Sequence, residues 1–165
     1  MKSPDTTIRK MLLYCLVALS GLAFACDKDD DEDELLDNEI VFINITLSGG
    51  NQVPPVETSG SGTFSATYNR STKVLSYNFS WTLGNEDDST IGIHFHGPAP
   101  ADQNAPIIIP IDFHPTAHAG SVTGETRELT ETEEEQLLDG RWYLNIHSTT
   151  YEDGELRGQL LRGEF

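Results

Sequence analysis

The sequence predicts an all-β fold, an antiparallel Greek-key β-sandwich or barrel of about eight strands with one short helix. Three observations predict it. Apolar and polar residues alternate over several segments, short turn signals separate those segments, and one stretch alone breaks the period of two. Alternation sends successive side chains to opposite faces of a strand, so one face is buried while the other meets water.

Val41, Ile43, Ile45 and Leu47 form the first apolar face, which Gly49-Gly50 and Pro54-Pro55 interrupt. Phe64, Ala66 and Tyr68 form the second, and Asn69-Arg70-Ser71 turns the chain into the clearest strand, 73–83. There Leu75, Tyr77, Phe79, Trp81 and Leu83 share one side while Ser76, Asn78, Ser80 and Thr82 take the other. After Gly84-Asn85, strand 90–96 sets Ile91, Ile93 and Phe95 against His94 and His96. Residues 106–111 are a short apolar run, and 120–127 read as a further strand. Thr130 with Glu133 three residues on is a capping box, and Leu137-Leu138 before Gly140 completes one short helix over 131–139, crossing an end of the sandwich. Trp142, Leu144 and Ile146 restore the strand period, Trp142 and Trp81 both falling on the core phase. Asp153-Gly154 turns into the last strand, 155–162, where the glycines permit close backbone approach and Arg157 is expected to pair with Glu155 or a neighbouring acid.

Ahead of this domain lies a different kind of chain. Lys2, Arg9 and Lys10 precede an apolar stretch that ends in small residues, too short to span a bilayer comfortably. Leu22-Ala23-Phe24-Ala25 before Cys26 resembles the lipobox of bacterial lipoproteins, with Phe24 bulkier than that pattern prefers. The resemblance implies a signal peptide over 1–25, lipidation of Cys26, an acidic tether over 26–39 and a domain over 40–165. Lys28-Asp29-Asp30-Asp31 resembles the export signal of surface lipoproteins in the Bacteroidetes, which implies an outer-membrane, surface-exposed location; the plainer role of such a run is a solvated spacer. An EF-hand is excluded, because Glu32 stands where the loop needs glycine and Asn38 where it needs a bidentate glutamate.

The 165 residues carry 10 Lys and Arg against 27 Asp and Glu, a formal charge of −17. The leader removes three bases and one acid, which leaves 7 against 26 and deepens the charge to −19. Such a surface repels phosphate backbones, so nucleic acid is excluded as a partner, and divalent cations or basic proteins are favoured. Of the two cysteines, Cys15 lies in the leader and Cys26 at the lipid, so no disulfide staples the domain. No phosphate loop, nucleophile elbow or spaced carboxylate pair is present.

All five histidines fall in the second half of the chain. Strand parity puts His94 and His96 on one side, about 7 Å apart along the backbone. His147 follows the apolar face of Trp142, Leu144 and Ile146 by one residue and so points to the opposite side, as His94 and His96 do, which makes the three rings candidate ligands for one copper or zinc ion. The plainer role is hydrogen bonding to carbonyls and acids at the mouth of the sandwich. His114 and His118 lie in a proline-containing loop and are weaker candidates.

Several motifs together resemble the CHRD domain: Gln52-Val53-Pro54-Pro55, Gly60-x-Gly62, Leu75-x-Tyr77, Ile93-His94-x-His96-Gly97, Leu144-Asn145-Ile146-His147, and Gly154-Glu155-x-Arg157-Gly158-Gln159-Leu160. The resemblance covers about 47–161. It marks Pro54, Pro55, Asn145, Glu155, Arg157 and Gly158 as structural motif residues and implies an extracellular β-domain, here a non-enzymatic binding module for an extracellular ligand. The order His94, His96, then His114 and His118, then His147 is also similar to copper/zinc superoxide dismutase, and that fainter resemblance implies a metal site and, with Arg157 as a guide, redox chemistry. It lacks the disulfide, has a shortened loop, and offers only Asp112 as a carboxylate.

Overall fold

In the computed structural model, residues 38–162 are described. The expected leader 1–25, Cys26 and the tether as far as residue 37 lie outside them. No helix among the described residues is long and apolar enough to cross a membrane.

Among the described residues, eight strands and one α-helix follow in chain order, with a single 3-10 turn (Gly49–Asn51) after the first strand: β1 (Glu39–Ser48), β2 (Ser61–Asn69), β3 (Val74–Thr82), β4 (Thr90–His96), β5 (Ile107–Pro110), β6 (Ala119–Glu125), α1 (Glu131–Leu138), β7 (Tyr143–Ser148) and β8 (Leu156–Gln159). Every pairing is antiparallel, and the strands join in one sheet ordered β5-β4-β7-β8-β1-β2-β3-β6. β1, β2 and β3 are consecutive neighbours, and β8 returns by a long connection to lie beside β1, which is the Greek-key order. The sheet curls into a half-barrel, so the approach to β6 meets β4, with the Thr90 amide donating to Ala117 O at 3.1 Å.

Curling brings the apolar faces of the two halves into contact. Phe95 on β4 meets Phe64 on β2 edge-on at 6.0 Å, Tyr77 on β3 at 5.4 Å, and Trp142 at 6.2 Å. Such offset and edge-on pairs add roughly 0.5–1.5 kcal/mol each to the area they bury. Trp142, Leu144, Ile146, Leu156 and Leu160 complete the core, and Trp81 joins it as expected. α1 closes one end through Leu137, which is wholly buried. Its capping box is formed: Thr130 Oγ1 accepts from the Glu133 amide at 3.3 Å, and Glu133 Oε2 accepts from the Thr130 amide at 2.9 Å. Arg127 grips the same carboxylate at 2.6 and 2.8 Å and, as the largest influence, pulls Glu133 down to about 2.

Two expected phases shift. In β1 the pairing with β2 slips between Phe42 and Ile45, and Asn44 sits at φ 58, in the left-handed region that Asn tolerates. The extra residue exchanges the faces, so Phe42 enters the core and Ile43 is left 44% exposed, while Leu47 keeps its expected place. In β4 the register slips between Thr90 and Gly92. Ile91 is turned outward, and Thr90 goes inside instead, where its Oγ1 accepts from Trp81 Nε1 at 2.8 Å and donates to Ala117 O at 2.9 Å. The parity of His94 and His96 is untouched, because both follow the slip.

Candidate metal centre

Register across three strands composes the outer face of this half of the sheet. His96 pairs with Tyr143, which pairs with Gln159; His94 pairs with Asn145, which pairs with Arg157; and Gly92 pairs with His147. Alternation on β4 and β7 therefore lands His94, His96 and His147 on one patch, and one ring nitrogen from each lies within 4.8 Å of the others. His94 Nδ1 and His147 Nε2 share a hydrogen bond at 3.2 Å. Two nitrogens bound tetrahedrally at zinc distances are separated by about 3.3 Å, so this edge already has ligand spacing.

The second nitrogen of each ring decides what the first can do. His96 Nδ1–H donates to Ala105 O at 2.9 Å, and His147 Nδ1–H donates to Glu152 O at 2.8 Å. A carbonyl only accepts, so both neutral rings carry their proton on Nδ1; His147 Nε2 then accepts from His94 Nδ1–H, the proton that a metal ion would displace. His96 Nε2 is buried without any partner. Metal-bound histidines are held by outer acceptors in this way. Burial, followed by the neighbouring His147 and His96, pushes His94 down to about 4. His96 is also lowered, by burial first, against the opposing pull of its bond to Ala105. Burial thus favours the neutral form of both rings, the form a metal needs.

Gly92 makes room for this arrangement. A Cβ there would come within 3.0 Å of His94 Cε1 and 3.3 Å of its Nε2, so the His94 ring lies over the space that the missing side chain leaves. Tyr143 stacks on His96, ring centroids 4.9 Å apart and planes at 7°, and its hydroxyl accepts from the Ala105 amide at 3.1 Å. Local patterning did not mark Gly92, Ala105, Tyr143 or Glu152. Only Gly92 and Tyr143 left a trace, as positions in phase with histidines on their own strands.

The loop histidines stay out of the cluster. His118 Nδ1 donates to Asn85 O at 2.9 Å, and His114 Nδ1 has a long bond to Pro115 O at 3.3 Å. Arg157 departs from expectation too. It is 1% exposed and has no carboxylate within ion-pair distance among the described residues. Its guanidinium lies 3.5 Å from the Tyr143 ring centroid and donates to Gln103 O at 2.9 Å and Asn104 Oδ1 at 3.2 Å. Glu155 precedes β8, on a turn where Gly154 takes φ 125, so strand parity does not aim it at Arg157. Its Oε1 instead accepts from Thr58 Oγ1 and the Gly84 amide, both at 2.7 Å.

The remaining motif residues knit the same region. Asn145 Oδ1 accepts from Gln52 Nε2 at 2.6 Å, beside the cis Val53-Pro54 bond that leads into Pro55. A Cβ on Gly158 would meet Leu47 Cδ2 at 2.7 Å, so only glycine lets β8 lie this close to β1. The family model for the CHRD domain matches residues 43–160, the stretch that contains all of these contacts. The chain belongs to the CHRD family. Neither a curated protein nor a solved structure matches it. The CHRD motif residues thus sit around the histidine cluster, with Asn145 and Arg157 in the same cross-strand row as His94.

Proposed function

We propose that this protein is a lipid-anchored, surface-displayed CHRD module that acts by binding, not by catalysis, and that its ligand is a copper or zinc ion held by His94, His96 and His147. The carrying observation is the convergence of three ring nitrogens within 4.8 Å, with two of the rings already locked in the ligand tautomer. An all-imidazole set suits zinc and copper(II) better than hard cations. Three protein ligands leave one coordination position for water or an exogenous group. CHRD membership supports the binding role, and the apolar leader before Cys26 with its acid run supports the anchor and the surface location.

Titrating metal-free protein with zinc and copper(II) tests the centre. One tight equivalent is expected, absent in His94→Ala; a wild type that binds neither ion, or a His94→Ala variant that binds as well, refutes it. The anchor is tested separately, since Cys26→Ser is expected to release the protein from membranes. Continued membrane association of that variant argues against lipidation.

A further inference from the structure

A groove of about 810 Å³ lies between β1 and β8. The two strands are neighbours in the sheet yet pair at one position, Ser48 with Arg157. Asn51 Nδ2 links the two strands by donating to Thr46 O at 3.2 Å and Arg157 O at 3.0 Å. Ile43, Ile45, Val53 and Leu161 give the groove apolar walls, and Ile43 and Leu161 are left 44% and 58% exposed.

Its polar end carries two arginines, Arg157 and Arg162, and like Arg70 and Arg141 they form no ion pair among the described residues. Arg157 is nearly wholly buried, and its acceptors, Pro100 O, Gln103 O, Asn104 Oδ1 and Gln159 Oε1, are all neutral. Buried charges are normally matched by an opposite charge, because desolvation is costly without one. In a protein of formal charge −17, a groove with two unmatched arginines is where an anion is attracted and not repelled. Asp102 also lines the groove but lies beyond ion-pair distance of either arginine, leaving a net charge of one positive and favouring a monoanion.

We propose that this groove binds an alkyl carboxylate, its chain along Ile43, Ile45, Val53 and Leu161 and its head group at the exposed Arg162, beside the buried charge of Arg157. The volume falls within the roughly 300–1,000 Å³ of small-molecule sites. The proposal is independent of any metal at the histidines.

Calorimetric titration of the full chain, carrying Cys26→Ser so that no detergent competes, tests it with decanoate as probe. Saturable one-to-one binding is expected, with decylammonium (same chain, opposite charge) and butyrate (same head group, short chain) each weaker by at least about tenfold. Ile43→Asp and Arg162→Glu are both expected to weaken decanoate by a similar factor. Both changes fall outside the core, and an unchanged melting temperature shows that each variant is folded. Ser80→Asp, on the opposite half of the sheet, is expected to bind like wild type. No saturable decanoate binding, equal binding of decylammonium, or wild-type affinity in folded Ile43→Asp and Arg162→Glu overturns the proposal.

Discussion

On β2, β3 and β6 the outer face of the sheet is a ladder washed by solvent: Thr63 Oγ1 sits 3.2 Å from Ser80 Oγ, Asn78 Nδ2 donates to Thr123 Oγ1 at 2.7 Å, and Ser76 Oγ to Glu125 Oε1 at 3.1 Å. On β4, β7 and β8 the same alternate positions hold His94, His96, Tyr143, Asn145, His147 and Arg157, and loops cover them. Five of the six residues of β7 are buried, against alternating exposure along β6. Both halves obey the same period of two, and both turn apolar side chains toward one core. The difference lies in what covers the other face. Water leaves a polar ladder nothing to do but hydrate, whereas burial fixes imidazoles, amides and a guanidinium through their neighbours and leaves His96 Nε2 as a directed lone pair without a partner.

The sharpest way to break this contrast is to remove a ligand. His96→Ala is expected to abolish zinc and copper(II) binding, a loss beyond the roughly 10–100-fold that removal of an outer partner costs. The fold should survive, with far-ultraviolet circular dichroism as the check. Gly92→Ala comes next. Its Cβ would press within 3.0 Å of His94 Cε1, so metal affinity is expected to fall about 10-fold, in the range of outer-shell changes, with little change in melting temperature.

A smaller effect is expected from protons. His94 titrates near 4 in the folded chain and, like any imidazole, near 6.5 when unfolded. Between those values the unfolded state binds the proton that the native state refuses, so stability falls as pH drops from about 6.5 toward 4 and is constant in this respect above that window. Denaturant melts of wild type minus His94→Gln, in chelator, should isolate this slope; a difference that is flat across the window contradicts the burial of His94. Least is expected of the other half. Asn78→Ala should change stability by no more than about 0.5 kcal/mol and leave metal titrations untouched, because its hydrogen bond is exposed. A larger effect there would show that the ladder does more than hydrate.

Much of this was legible in the chain itself. The strand segments, the capping box at Thr130 and Glu133, the core placement of Trp81 and Trp142, and the shared side of His94, His96 and His147 all follow from local rules, since parity and capping involve residues only a few positions apart. The β1 slip at Asn44 was not legible, because a polar residue among apolar ones looks the same whether or not it adds one to the count. Nor were the partners of Arg157 and Glu155, which lie on the loops around residues 58, 84 and 100–104.

Local pattern alone therefore determined that three imidazoles leave the apolar face together. Their approach to within 4.8 Å was decided by the pairing of Gly92 with His147, between strands far apart in sequence, and their tautomers by the carbonyls of Ala105 and Glu152. Parity is a property of each strand by itself. Register and cover are set by distant segments competing for the same hydrogen bonds and the same buried area, and no short window of sequence contains both competitors.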